Sequence, residues 1–128
     1  MRLSRRLRRE RGEGALTGAQ LSVLAALHRS GEMTARQIAD LERLQPQSLT
    51  RTLRALQDEG LIRRRPDPED RRRVRLAITP KGVDALAHDM ARRDAWLAAA
   101  LEELTAAERG VLELAAELMQ RLAERPTE

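Results

Sequence analysis

Leucine and alanine recur at helical spacing in several stretches of the chain, and one stretch between them alternates instead. In ALTGAQLSVLAALHRSG, Leu21, Leu24, Ala25 and Leu27 share one helical face. Thr17 and Gln20 have the spacing of a capping box, and Gly31 stands where such a helix would end. MTARQIADLERL repeats the device on a shorter scale. Thr34 caps, Gln37 takes the third helical position, and Ile38 and Leu41, with Leu44 at their margin, are expected to face inward. In QPQSLTRTLRALQDEG, Pro46 falls where a first-turn proline is tolerated, and Leu49, Leu53 and Leu56 form the expected inner face. Gly60 suits a left-handed C-terminus. The opposite face carries Gln47, Ser48, Arg51, Arg54 and Asp58, with hydrogen-bonding groups concentrated towards its start.

After Gly60 the period shortens. Leu61 and Ile62 lead in, and beyond a Pro- and Asp-rich bend Val74, Leu76 and Ile78 alternate with Arg73, Arg75 and Ala77. This predicts a two-stranded hairpin with PDPED as its turn, one face packed on the helices and its arginines outward. Thr79 and Pro80 then restart a helix, as cap and first position. Val83, Leu86, Met90, Leu97 and Leu101 carry it for about 22 residues, or roughly 33 Å, more than a small domain needs to cover its core. Thr105 with Glu108 opens a last helix bearing Val111, Leu112, Ala115, Leu118, Met119 and Leu122 ahead of Pro126. Both late helices are apolar enough to predict pairing with another chain.

At 128 residues the chain suits one domain with a real core. It has no cysteine, which excludes disulfides, thiolate metal sites and thiol-based redox sensing. His28 and His88 lie far apart, with no clustered ligands to make a metal site. No nucleophile–base pair, glycine-rich phosphate loop or carboxylate dyad is visible, so neither catalysis nor a cofactor is expected. The longest apolar run, Ala95 to Leu101, is far too short to cross a bilayer, and a cytoplasmic protein without membrane contact is expected. Lys81 is the only lysine, Trp96 is the only aromatic residue, and stacking on bases has almost no material to work with.

The net charge of +4 conceals an asymmetry. Residues 1–82 carry 19 basic against 10 acidic side chains, and residues 83–128 carry 5 against 10. One part of the molecule is therefore suited to a polyanion and another is not. The basic excess includes RRRPDPEDRRR, two arginine triplets flanking the predicted turn. Two short helices, a third with Gln, Ser, Thr and Arg in its first turns, and an arginine-bearing hairpin are the parts of a winged helix-turn-helix. A helix of this kind fits the major groove of B-DNA, where such side chains reach base edges and phosphates. A narrow hairpin beside it can lay arginine against phosphates or into a narrow minor groove.

The order of these parts resembles the MarR-type winged-helix transcriptional regulators. The resemblance rests on LTGAQLSVLAAL, on TARQIADLERLQPQSLTRTLRALQDEGLIRR, on DPEDRRRVRLAITPKG and on LEELTAAERGVLELAAELMQRL, together spanning about residues 16 to 124. It implies a mainly α fold with a small β-hairpin wing and C-terminal dimerisation helices. By position, Gln45, Gln47, Ser48, Thr50, Arg51 and Arg54 match the start and exposed face of the recognition helix. Arg71, Arg72 and Arg73 are the expected DNA-binding arginines of the wing, Arg72 matching the minor-groove arginine; Asp70 matches an aspartate that holds Arg72 by a salt bridge.

The same resemblance implies a homodimer on a pseudo-palindromic double-stranded DNA operator, usually a repressor relieved by a small-molecule effector. It divides the chain into a partial N-terminal helix or arm (1–15), a DNA-binding lobe (16–82) and a helical dimerisation region (83–128). The segment before Leu16 is shorter than the family's usual first helix. Either dimerisation leans on the last two helices, or the chain starts downstream of the ancestral start. Trp96 either packs in the dimer core or lines an effector pocket. The rival expectation is a protein-binding winged helix that never touches DNA.

Overall fold

The computed structural model describes residues 1–125, which form six helices and three short strands. In chain order these are α1 (Arg2–Glu10), α2 (Gly18–Ser30), β1 (Met33–Thr34), α3 (Ala35–Glu42), α4 (Pro46–Asp58), β2 (Ile62–Pro66), β3 (Val74–Ile78), α5 (Pro80–Glu102) and α6 (Ala106–Ala123). The fold is mainly α with a small antiparallel sheet, a winged helix-turn-helix followed by two long helices.

The helix starts obey local chemistry. Thr17, Thr34 and Thr105 each form a reciprocal capping box, their hydroxyls accepting from the amides of Gln20, Gln37 and Glu108 at 3.1–3.2 Å. Thr79 caps α5 by accepting from the Gly82 amide at 3.0 Å, and donates its own hydroxyl to the Gly60 carbonyl at 2.7 Å. That second bond ties the end of α4 to the start of α5, so the sheet is held between them. Each cap satisfies amides that the first turn of a helix leaves unpaired.

Three expectations need correction. The sheet has three strands, ordered β1-β3-β2: Met33 pairs with Leu76 and Thr34 with Arg75, covering the free edge of β3. Leu41 is 51% exposed instead of facing inward. The eight-residue α3 turns inward only through Ile38 and Ala39, and its left-handed end at Arg43 swings Leu44, not Leu41, towards the core. On α4 the fully inward positions are Leu49, Thr52 and Leu56, while Leu53 is half-buried. Thr52 can be buried because its hydroxyl donates to the Ser48 carbonyl at 2.9 Å.

One hydrophobic core results, built from Val23, Leu24, Leu27, Ile38 and Leu56 with Leu61, Ile62 and Leu76 of the sheet. It closes against α5 at Leu86. Gly82 is demanded by this packing, since a Cβ there would collide with the Leu61 carbonyl and sit 2.8 Å from Ile78 Cγ1. Farther along, α5 packs against α1, and α6 contributes no buried residue.

Candidate nucleic-acid interface

The inner leucines of α4 anchor it so that its other side faces solvent. Gln45, Gln47, Ser48, Thr50, Arg51 and Arg54 are all exposed, and Thr50 donates its hydroxyl back to the Pro46 carbonyl at 2.9 Å. That bond uses the hydroxyl's proton and leaves its oxygen outward as an acceptor. Pro46 at the first helical position has no amide to satisfy, which leaves the start of the helix free of bulky caps.

The wing is longer at its tip than the predicted PDPED turn. Strand pairing runs from Ile62 opposite Ile78 to Pro66 opposite Val74, and the Asp67 amide then donates to the Arg73 carbonyl at 3.0 Å. Residues 67–73 thus form the loop, and Arg71, Arg72 and Arg73 sit at its exposed end. The acids fold this loop. Asp67, 5% exposed, accepts from the Glu69 amide at 3.0 Å and lies 3.2 Å from Arg75 Nε. No hydrogen bond is aimed from that Nε, so the contact with Arg75 is one of charge. The Glu69 amide, and beyond it Arg75, hold the Asp67 carboxyl below the usual carboxylate range against the opposing pull of burial.

Asp70 supports the wing by a different bond from the one expected. Its Oδ1 accepts from the Arg72 backbone amide at 3.0 Å, and its Oδ2 lies 3.7 Å from Arg73 Nε, not against the Arg72 guanidinium. An aspartate two residues before an amide in a tight loop reaches that amide by a local turn, and the Arg72 side chain is left to solvent.

The arginines therefore divide into two groups. Arg65 pairs with Glu32 at 3.2 Å, Arg75 with Asp67 and Arg73 with Asp70, and these hold the wing to itself and to the residue that leads into β1. Among the described residues, Arg51, Arg54, Arg63, Arg64, Arg71 and Arg72 have no carboxylate partner.

Helix and wing meet in a groove of about 380 Å³ lined by Thr50, Leu53, Arg54, Arg64, Val74 and Leu76, among others. Arg64 was missed in the sequence. Its place follows from register: it pairs with Leu76, so its stem starts on the inner face of the sheet although its neighbours Arg63 and Arg65 start on the outer one. Leu53 and Val74 floor this groove, which accounts for their partial exposure.

Trp96 lies apart from this surface, half-buried where α1 crosses α5. The Arg6 guanidinium stands 5.4 Å over its ring, in an open groove of about 510 Å³ lined also by Arg2, Leu3, Arg5 and Arg9. No group of His, Cys, Asp and Glu that could hold a metal occurs among the described residues, and no described helix is long and apolar enough to cross a membrane.

The fold, with the exposed face of α4 beside an arginine-bearing wing, is that of the winged-helix transcriptional regulators. Residues 16–74 match the MarR family. An HTH-type transcriptional regulator of Mycobacterium bovis is 37% identical over 124 residues, covering 97% of this chain and 87% of that protein. The HTH-type transcriptional repressor MdtR of Bacillus subtilis is 33% identical over 90 residues, covering 70% of this chain and 58% of its own. Among solved structures, a transcriptional regulator of Pseudomonas aeruginosa superposes with a TM-score of 0.80 at 35% identity, over 98% of this chain and 88% of the other. The chain belongs to the MarR family of transcriptional regulators.

Proposed function

We propose that the protein is a homodimeric repressor that reads a pseudo-palindromic duplex with α4 in the major groove and the wing tip along the adjacent backbone. The observation that carries this reading is the set of guanidiniums without a carboxylate partner, Arg51 and Arg54 on α4 and Arg64, Arg71 and Arg72 on the wing, of which Arg54 and Arg64 line the groove where helix and wing meet. An arginine with no internal partner has its full hydrogen-bonding fork available to phosphate or to guanine. Gln45, Gln47, Ser48 and Thr50 supply the shorter-range contacts of the same helix, and Arg73 and Asp70 shape the tip from which Arg71 and Arg72 project. The repressor sign is supported by the likeness to MdtR, and the dimer by the apolar face that α6 leaves exposed.

In this reading residues 16–82 are the DNA-binding lobe, residues 83–128 the dimerisation region, and residues 1–15 an arm that joins it. A small-molecule effector would release the operator. The groove beside Trp96 offers it an indole face and a rim of arginines, suited to an anion with an aromatic body.

The test is operator binding by Arg72→Ala in fluorescence anisotropy at fixed salt, on a duplex selected by the wild-type protein from a random pool. A loss of about tenfold or more is expected, in line with ~1–3 kcal/mol for a specific arginine contact. Wild-type strength would remove Arg72 from the interface. A steep fall of wild-type binding with salt is expected as phosphate-bound counterions are released. Absence of any duplex binding at low salt would favour a protein partner instead.

A further inference from the structure

One buried ion pair plays no part in the DNA-facing surface. Asp89, midway along α5, is 6% exposed. Arg11 Nε donates to its Oδ1 at 2.5 Å, Arg11 Nη2 donates to its Oδ2 at 3.0 Å, and the Leu16 amide donates to that same Oδ2 at 2.6 Å. Arg11 Nη2 also donates to the Leu16 carbonyl. The four bonds close a ring joining the residue that ends α1, the residue that leads into α2, and α5. Burial pushes the Asp89 carboxyl up, but the bonds from Arg11 and Leu16 outweigh it and hold it below its ordinary value; Arg11 is raised by the same pairing.

What the ring spans makes it more than a weld. Between Arg11 and Leu16 the chain is Gly-Glu-Gly-Ala, and Gly12 and Gly14 stand at φ 83° and 76°. Two glycines in left-handed conformations are a pivot whose angle the backbone alone does not hold. A bidentate guanidinium–carboxylate fork is geometrically specific, and a buried pair of this kind is weak evidence of added stability. The pivot separates α1 from the winged-helix unit, and α5 runs from that unit alongside α1.

We infer that Arg11 and Asp89 are positioning residues that fix the angle between the winged-helix unit and the α1–α5 pair. They thereby set the separation of the two recognition helices in the dimer and the half-site spacing that the dimer accepts. This rests on the homodimeric DNA-binding reading above. Neither residue lies among the DNA-facing side chains, so loosening the ring leaves the contacts within one half-site intact and relaxes only their relation to the other.

The experiment measures affinity for the wild-type-selected duplex, for versions with the centre lengthened or shortened one base pair at a time, and for a single half-site. Asp89→Asn keeps an acceptor for the Leu16 amide but loses the charge. Arg11→Lys keeps a charge but loses the fork. Each added base pair rotates one half-site by about a tenth of a turn, so the wild-type dimer is expected to lose roughly tenfold per step, the order of one mismatched base pair at ~1–3 kcal/mol. Asp89→Asn is expected to lose less than about threefold per step, with Arg11→Lys intermediate and half-site affinity unchanged in both. Circular dichroism and sedimentation establish that each variant is folded and dimeric; if Asp89→Asn does not fold, Arg11→Lys carries the same test. Folded variants that keep the wild-type spacing profile, or that weaken half-site and full site equally, would overturn the inference. A wild-type protein indifferent to spacing would instead overturn the two-half-site reading on which it stands.

Discussion

The winged-helix unit and the last helix are built with the same local devices, yet only the first has somewhere to put its leucines. Helices α2 and α6 both begin at a threonine capping box and both carry an apolar stripe. On α2, Val23, Leu24 and Leu27 are at most 1% exposed; on α6, Val111, Met119 and Leu122 are 64–66% exposed. An apolar face of that extent on a well-capped helix is left uncovered by this chain, the kind of face at which interaction sites are found. The lesson is that helical patterning specifies an element, and only tertiary company decides whether the element is finished within one chain.

The largest effect that would break this contrast lies on α6. Replacing Val111 and Leu118 together by aspartate is expected to give monomers in sedimentation, with helix content kept in circular dichroism. Duplex affinity should fall by roughly 10²–10⁴-fold, the gain two linked half-site contacts ordinarily confer. A dimer that survives both charges would mean that the exposed face of α6 is not the joining surface. Next in size is the core of the winged helix. Leu24→Ala should cost about 2–5 kcal/mol in urea unfolding, because a fully enclosed leucine leaves a cavity. Leu112→Ala, at 49% exposure, should change monomer stability by no more than about 0.5 kcal/mol and show its effect only in association.

At the junction of the two regions, Gly82→Ala separates intrinsic propensity from packing. Alanine is favoured over glycine in a helix by up to about 1 kcal/mol, so on α5 alone the change should stabilise. The Leu61 carbonyl and Ile78 occupy the space a Cβ would need, and forced repacking costs about 1–3 kcal/mol. Packing should win, lowering the unfolding midpoint; a rise would mean that the sheet and α5 can part without penalty.

Which parts could be read ahead of the structure follows from the range of the interactions involved. The capping boxes were legible because each is closed within three residues. The two-residue strand β1 was not, since nothing in Met33 and Thr34 announces a pairing with Leu76 and Arg75 far along the chain. Leu41 looked inward by period alone, but its short helix ends at Arg43 before that period can hold. In the candidate interface, the exposed face of α4 was legible from Gln47 to Arg54, as the complement of its leucines. Arg64 was hidden because its side of the sheet depends on strand register, and Asp70 forms its local bond to an amide where a pairing with the Arg72 side chain was expected. The Arg11–Asp89 ring joins residues 78 positions apart, and no local pattern links them.

The smallest effect probes the wing, where one buried carboxylate does work that leucines do elsewhere. Asp67→Asn keeps an oxygen for the Glu69 amide and removes the charge facing Arg75. Because the Asp67 carboxyl is held below its ordinary value of 3.8, its contribution is fully present above that value. It is lost as pH falls through the lower, folded-state value and the acid takes up its proton. The asparagine variant has no such proton to gain. It should therefore be modestly less stable than wild type at pH 7, and the difference should shrink as pH drops below about 4. Hydrogen exchange at the Glu69 and Arg72 amides, followed at both pH values, reports the wing separately from the core. A difference between the two proteins that stays constant with pH would show that the Asp67 charge does not hold the loop, leaving its shape to the Asp70 turn and the closing Asp67–Arg73 backbone bond.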